Sequence, residues 1–182
     1  MKEFFYSERI LKKWQCKDII QWFDDHEGKQ MKGVVNTGVV MSSVKDSTDI
    51  YMHLEENNLV NHYIREPLSD AFFKYQNRYP ILGDISDWGI EHGYNLQRYK
   101  PDGGYKELHF ESAHPKVCHR LFAWMIYLNT DWFGGTRFPY LNKTFAAKAG
   151  RLLIWPAAFT HTHASQITKR TKYIATGWAS FI

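Results

Sequence analysis

The chain has 182 residues, of which 44% are hydrophobic, 16% aromatic and 23% charged, and its formal net charge is +4. This composition fits one globular domain with a sizeable core and excludes a disordered or fibrous chain. It also excludes a nucleic-acid stripe, because Lys and Arg are scattered, and a membrane-crossing helix, which needs roughly 20 apolar residues in a row.

The first residues carry no charged-then-apolar leader pattern, and Cys16 and Cys118 suggest no disulfide framework. The expected location is therefore cytoplasmic. Residues 16–26 place Ile19, Ile20, Trp22 and Phe23 on one helical face. Residues 33–41 are β-branched and read as a strand with apolar pairs Val34-Val35 and Val39-Val40. Residues 59–79 read as a helix that Pro67 kinks or divides in two. Pro80 closes this helical half.

Beyond residue 90 the pattern turns to strands. They are expected at 94–100, 105–110, 117–129, 136–139, 143–147, 151–155, 160–164 and 172–181, separated by Gly- and Pro-rich turns. Many short strands with helices gathered at one end predict an α+β, mainly β fold: a double-stranded β-helix (jelly roll) core with N-terminal packing helices. Residues 1–182 form a single domain on this reading, with 1–90 as helical support plus a strand and 91–182 as the β core.

His109 and Glu111 stand two apart, so on a strand they face the same way while Phe110 packs behind. His161 and His163 repeat that spacing late in the chain, and either can supply a second histidine. Two histidines and one carboxylate on three corners of an octahedron leave three positions open, as non-haem iron(II) oxygenases require. In the last strand, Lys172, Ile174, Thr176 and Trp178 share one face. A cation beside a hydroxyl makes a carboxylate receptor. Tyr127, on a strand apolar on both faces, and Tyr99, just before the turn at 101–104, can complete such a pocket, although each is also readable as plain core. His114 and His119 are not counted as ligands, and Cys118 reads as buried or half-buried.

Residues 96–181 resemble the prolyl 4-hydroxylase-type branch of the 2-oxoglutarate/iron(II) oxygenases. The resemblance rests on Arg98-Tyr99-x-Pro-x-Gly-Gly-Tyr105, His109-x-Glu111, and Arg120 leading to Ile126-Tyr-Leu-Asn129. It continues through Gly134-Gly-Thr-Arg-Phe-Pro139, Gly150-Arg-Leu-Leu-Ile-Trp-Pro156, and His163 followed nine residues later by Lys172-Tyr-Ile-Ala-Thr-Gly-Trp178. Residues 44–49 also resemble segments of small viral and bacterial members. The resemblance implies iron(II), 2-oxoglutarate and O₂, with ascorbate as reductant, and hydroxylation of a C–H bond with release of succinate and CO₂. It implies His109, Glu111 and His163 as metal ligands, His163 being chosen over His161 by its distance from Lys172. Lys172 would pair with the distal carboxylate of 2-oxoglutarate, Tyr99, Tyr127 and Thr176 would hydrogen-bond the co-substrate, and Trp178, Ile126 and Ile154 would be apolar walls. The family usually has Asp where this chain has Glu111, and keeping a carboxylate argues against a halogenase. The expected partner is a peptidyl, prolyl-type substrate or else a free amino acid or other small metabolite, with no nucleic acid and no membrane. The expected assembly is a monomer or homodimer. A non-catalytic metal- or ligand-binding β-barrel is the competing reading. Residues 83–93 and 112–117 are the candidate rim loops.

Overall fold

A computed structural model describes residues 3–35 and 38–182. Its strands are β1 (Tyr6–Arg9), β2 (Met31–Lys32), β3 (Lys45–Asp46), β4 (Thr48–His53), β5 (Trp88–Tyr99), β6 (Gly104–Tyr105), β7 (Arg120–Tyr127), β8 (Asp131–Phe138), β9 (Lys143–Ala147), β10 (Arg151–Pro156), β11 (Ala164–Ser165) and β12 (Lys172–Phe181). The helices are α1 (Lys13–Asp25) and α2 (Leu59–Arg78). A seven-stranded antiparallel sheet runs β1-β10-β7-β12-β5-β4-β2, a three-stranded sheet runs β11-β8-β9, and β3 pairs with β6. This is the expected mainly β, jelly-roll arrangement.

Strand alternation divides the large sheet into two faces. Trp124 and Ile126 of β7, Leu152 and Ile154 of β10 and Ala175 of β12 join Ile19 and Phe23 of α1 and Ile64, Leu68 and Phe72 of α2 in one buried cluster. The intervening residues, Ala123, Tyr127, Leu153, Trp155 and Ile174, form a second cluster on the other face. The helices thus cover one side of the sheet and leave the other for a pocket. Ile126 and Ile154, expected as pocket walls, belong to the helix side by this parity. Gly177 of β12 is required by packing, because a Cβ there would lie 2.7 Å from the Trp124 ring.

The N-terminal half differs most from expectation. Pro67 does not divide α2, which is one helix of 20 residues. Val60, Ile64, Leu68, Ala71, Phe72 and Tyr75 are buried on both sides of the proline. Their burial outweighs the roughly 3 kcal/mol that an interior proline costs. The strand expected over 33–41 is absent among its described residues: Val35 and Val39 make a single backbone bridge, and Val34, Val39, Val40 and Met41 are exposed. Residues 36 and 37 of that expected strand lie outside the described residues. Three strands of the large sheet went unread, β1 at one edge and β4 and β2 at the other.

In the C-terminal half, β9 and β12 match the expected limits, and β5 begins six residues earlier than expected, at Trp88. Residues 106–110 and 160–163 are not strands; the latter include a short 3₁₀ turn over Phe159–His161. Cys118 is exposed rather than buried, whereas Cys16 is buried.

Candidate metal centre and co-substrate pocket

His109 and His163 meet through a two-way backbone bridge, His109 N to His163 O at 3.0 Å and His163 N to His109 O at 2.9 Å. The amides of Glu111 and Ser112 both donate to the Ala157 carbonyl, each at 3.1 Å. Irregular chain is thereby pinned to irregular chain, and the strand parity inferred for His109 and Glu111 is replaced by these bridges. Even so, a ligand atom from each of His109, Glu111 and His163 lies within 4.8 Å of the other two.

The protonation of these histidines follows from their partners. Nδ1 of His109 lies 2.9 Å from the Glu107 carbonyl, and Nδ1 of His163 lies 2.9 Å from the His161 carbonyl. A carbonyl only accepts, so each Nδ1 carries a hydrogen, and a ring in its neutral form then offers its lone pair at Nε2. These lone pairs face Glu111 Oε1, at 3.8 Å from His109 and 3.4 Å from His163. Burial, and then the neighbouring His163, lower the His109 pKa to about 4. Burial alone would raise Glu111, but its contacts with His163, His109 and Trp178 outweigh that and hold it at about 2. Three electron-pair donors converging around one point, with the His109 imidazole disfavouring protonation, fit a divalent metal ion.

The surrounding side chains orient the three. The Tyr105 ring stacks on His109 at 3.6 Å between centroids, and Phe138 and Trp155 pack against His163. Trp178 Nε1 donates to Glu111 Oε2 at 2.7 Å. Arg120 lies over the Trp178 ring and 3.9 Å from the same carboxylate. Tyr105 and Arg120 had no part in the site expected from sequence, although both stand in motif blocks that pointed to it. His161 is turned elsewhere, with Nε2 against the Glu3 carbonyl at 2.8 Å. Its contribution is the backbone carbonyl that orients His163.

All three residues line a cavity of about 380 Å³ that Lys172, Tyr99, Thr176, Trp178 and Thr136 also line. Lys172 is 2% exposed, and its ammonium makes no hydrogen bond or ion pair among the described residues. Its Nζ lies 5.1 Å from the centre of the Tyr99 ring. Burial lowers its pKa to about 8, against a weak opposing pull from Asp131. A buried cation without a partner, open to a cavity, calls for an anion. The hydroxyls around it are arranged differently from expectation. The Thr176 hydroxyl already donates to the Trp124 carbonyl at 2.8 Å. Tyr127 lies behind the cavity wall and pairs with Thr136 at 2.6 Å, so Thr136 is the hydroxyl presented to the cavity. Tyr99 gives its hydroxyl hydrogen to Gln97 at 2.7 Å.

Of the expected rim loops, 112–117 contributes Ala113, His114 and Val117 to the cavity wall, whereas 83–93 contributes nothing. Val34 and Val35 form another part of the wall.

Residues 94–180, which carry all the converging groups, match the family model of the 2OG-Fe(II) oxygenase superfamily. The chain carries this oxygenase domain over residues 94–180. It is therefore a 2OG-Fe(II) oxygenase, and the family implies iron(II), 2-oxoglutarate and O₂. No curated protein matches the sequence. Among solved structures, a Pseudomonas putida prolyl-4-hydroxylase is similar at TM-score 0.76 and 18% identity, over 98% of this chain and 93% of that one. A viral collagen prolyl hydroxylase from Paramecium Bursaria Chlorella virus-1, solved as a 2OG complex, gives 0.71 and 17% over 98% and 97%. A Trichoplax adhaerens prolyl hydroxylase in complex with a hypoxia inducible factor peptide fragment gives 0.74 and 17% over 98% and 84%. At these identities the likeness is one of fold. No helix among the described residues is long and apolar enough to cross a membrane.

Proposed function

We propose that this oxygenase hydroxylates a C–H bond of a peptidyl, prolyl-type substrate, with His109, Glu111 and His163 holding iron(II) and Lys172 holding the distal carboxylate of 2-oxoglutarate. One observation carries the reading: three converging lone-pair donors and an unpartnered buried ammonium share one cavity. The metal with 2-oxoglutarate and O₂ supplies the oxidation, in which one oxygen atom enters the substrate as hydroxyl and the other enters succinate as CO₂ leaves.

The chain's own part is binding and orientation. The two Nδ1–H groups lock the imidazoles so that Nε2 faces the metal position, and Trp178 fixes one oxygen of Glu111. Lys172 supplies a charge and Thr136, backed by Tyr127, a hydroxyl for the co-substrate carboxylate. Met125, Ile174 and Trp155 keep the cavity wall apolar and limit water beside the reacting centre. The peptidyl substrate is supported by the fold shared with prolyl hydroxylases, one of them solved with a peptide.

The test is succinate formation from 2-oxoglutarate under air, with iron(II) and ascorbate, in the presence of proline-bearing peptides or of free amino acids. Peptide-stimulated turnover that vanishes in His163→Ala and Glu111→Ala, together with loss of bound iron, is the expected result. Stimulation by free amino acids alone would replace the peptidyl substrate by a small metabolite. Binding of 2-oxoglutarate without turnover on any substrate would leave a ligand-binding barrel.

A further inference from the structure

A second group of metal-ligand side chains lies outside the cavity. His53 ends β4, Glu55 sits in the turn that follows, and His92 lies on β5; a ligand atom from each is within 4.8 Å of the other two. The ladder places His53 opposite Gly93, the residue next to His92, at the end of β4. Their ring centroids are 5.4 Å apart. The turn folds Glu55 back between them, one carboxylate oxygen 3.0 Å from His92 Nδ1 and the other 4.0 Å from His53 Nδ1. None of the three lines the cavity.

The backbone that carries these side chains is well anchored. Leu54 N donates to the His92 carbonyl at 2.8 Å, and Glu56 N closes the turn on the His53 carbonyl at 3.0 Å. The His53 carbonyl also accepts from Asn61 Nδ2 at 2.7 Å, and Arg65 Nε reaches the Leu54 carbonyl at 2.8 Å. Leu54 itself is buried at 8% exposure. The turn is thus held to β5 and to the start of α2 before any ligand arrives. Exposed ion pairs of this kind add little to stability, so packing does not call for two imidazoles and a carboxylate here.

We propose that His53, Glu55 and His92 form a second metal site, selective for a late first-row divalent ion such as zinc. Metal–ligand bonds of roughly 2.0–2.1 Å put tetrahedral ligand atoms about 3.3–3.4 Å apart. The Glu55–His92 pair is already near that spacing, and the half-buried His53 ring closes the remainder by side-chain rotation. Two imidazoles with a single carboxylate suit zinc, nickel or copper and are poor for calcium or magnesium, which take mostly oxygen ligands. Three protein ligands leave the fourth position to water. The bound ion would staple the β4 end to β5 beside the start of α2.

Zinc titration of the full-length protein by calorimetry tests this, with thermal unfolding as a second readout. Wild type is expected to take up two equivalents. His53→Ala/His92→Ala should lose one while keeping oxygenase turnover, and His109→Ala/His163→Ala should lose the other while keeping the surface one. Glu55→Gln should weaken the surface equivalent. In the His109→Ala/His163→Ala protein, zinc should raise the unfolding temperature, and adding His53→Ala/His92→Ala should abolish that rise. Uptake that disappears with His109→Ala/His163→Ala alone, or two equivalents retained in His53→Ala/His92→Ala, overturns the proposal.

Discussion

Trp178 and Glu111 are joined by an indole N–H donated to one carboxylate oxygen at 2.7 Å, while the other oxygen of Glu111 faces His163. The tryptophan is therefore more than a wall. It holds one oxygen of Glu111 and leaves the other turned toward His163. Outer partners of this type commonly influence metal affinity by about 10–100-fold. Trp178→Phe keeps the ring and removes only the donor. We expect iron affinity to fall by about that factor, with the fold unchanged by circular dichroism; unaltered affinity would show that the bond does not position Glu111.

The ammonium of Lys172 titrates near pH 8, because burial disfavours its charge. Binding a carboxylate needs the protonated form, so 2-oxoglutarate affinity should be flat below pH 8 and fall above it, by at most about tenfold per pH unit. Calorimetric titration with 2-oxoglutarate between pH 7 and 10 reads this directly. A flat profile across that range would place the carboxylate elsewhere.

The same lysine sets a stability trend. Its folded pKa is depressed from 10.5 to about 8, so between these values the unfolded chain holds the proton that the fold has released. Stability of the protein without co-substrate therefore rises as pH climbs through that window, and below it the buried charge exerts its full penalty. Lys172→Met should raise unfolding free energy at pH 7 by about 2–3 kcal/mol while abolishing 2-oxoglutarate binding. Urea unfolding with and without co-substrate checks both halves.

Lys45 and Asp49 form a buried pair at 2.6 Å beside the cavity, and Asp49 also accepts from Gln97, the residue that receives the Tyr99 hydroxyl hydrogen. Asp49→Ala strands the Lys45 ammonium and should destabilise the protein by about 3–5 kcal/mol. The pair Lys45→Met/Asp49→Leu should recover most of that loss. Denaturant midpoints of the two variants decide it.

The convergence of His109, Glu111 and His163, and the lysine in the same cavity, were readable because oxidative metal chemistry demands particular residue types, and those types stand in fixed order along a half-chain of recognisable blocks. The reasoning by strand parity held along Ala123–Tyr127 of β7 and Lys172–Thr176 of β12, ahead of the register shifts near the end of β12. It misdescribed the segments around His109 and His163, which single bridges hold in place. Local periodicity has no record of such bridges, since each partner is more than 50 residues distant in sequence. The short, mixed-polarity β1 and β4 were hidden for the same reason: a strand that pairs with distant chain needs little pattern of its own.

Residue chemistry and order sufficed for the family, the jelly-roll class and which side chains bear the charge. Hydroxyl roles did not follow from order. Thr176 turns its hydrogen to the Trp124 carbonyl, Tyr127 backs Thr136 from behind the wall, and Trp178 reaches across to Glu111. The direction of each such hydrogen is set by the nearest acceptor in space, and that acceptor belongs to a different strand or loop.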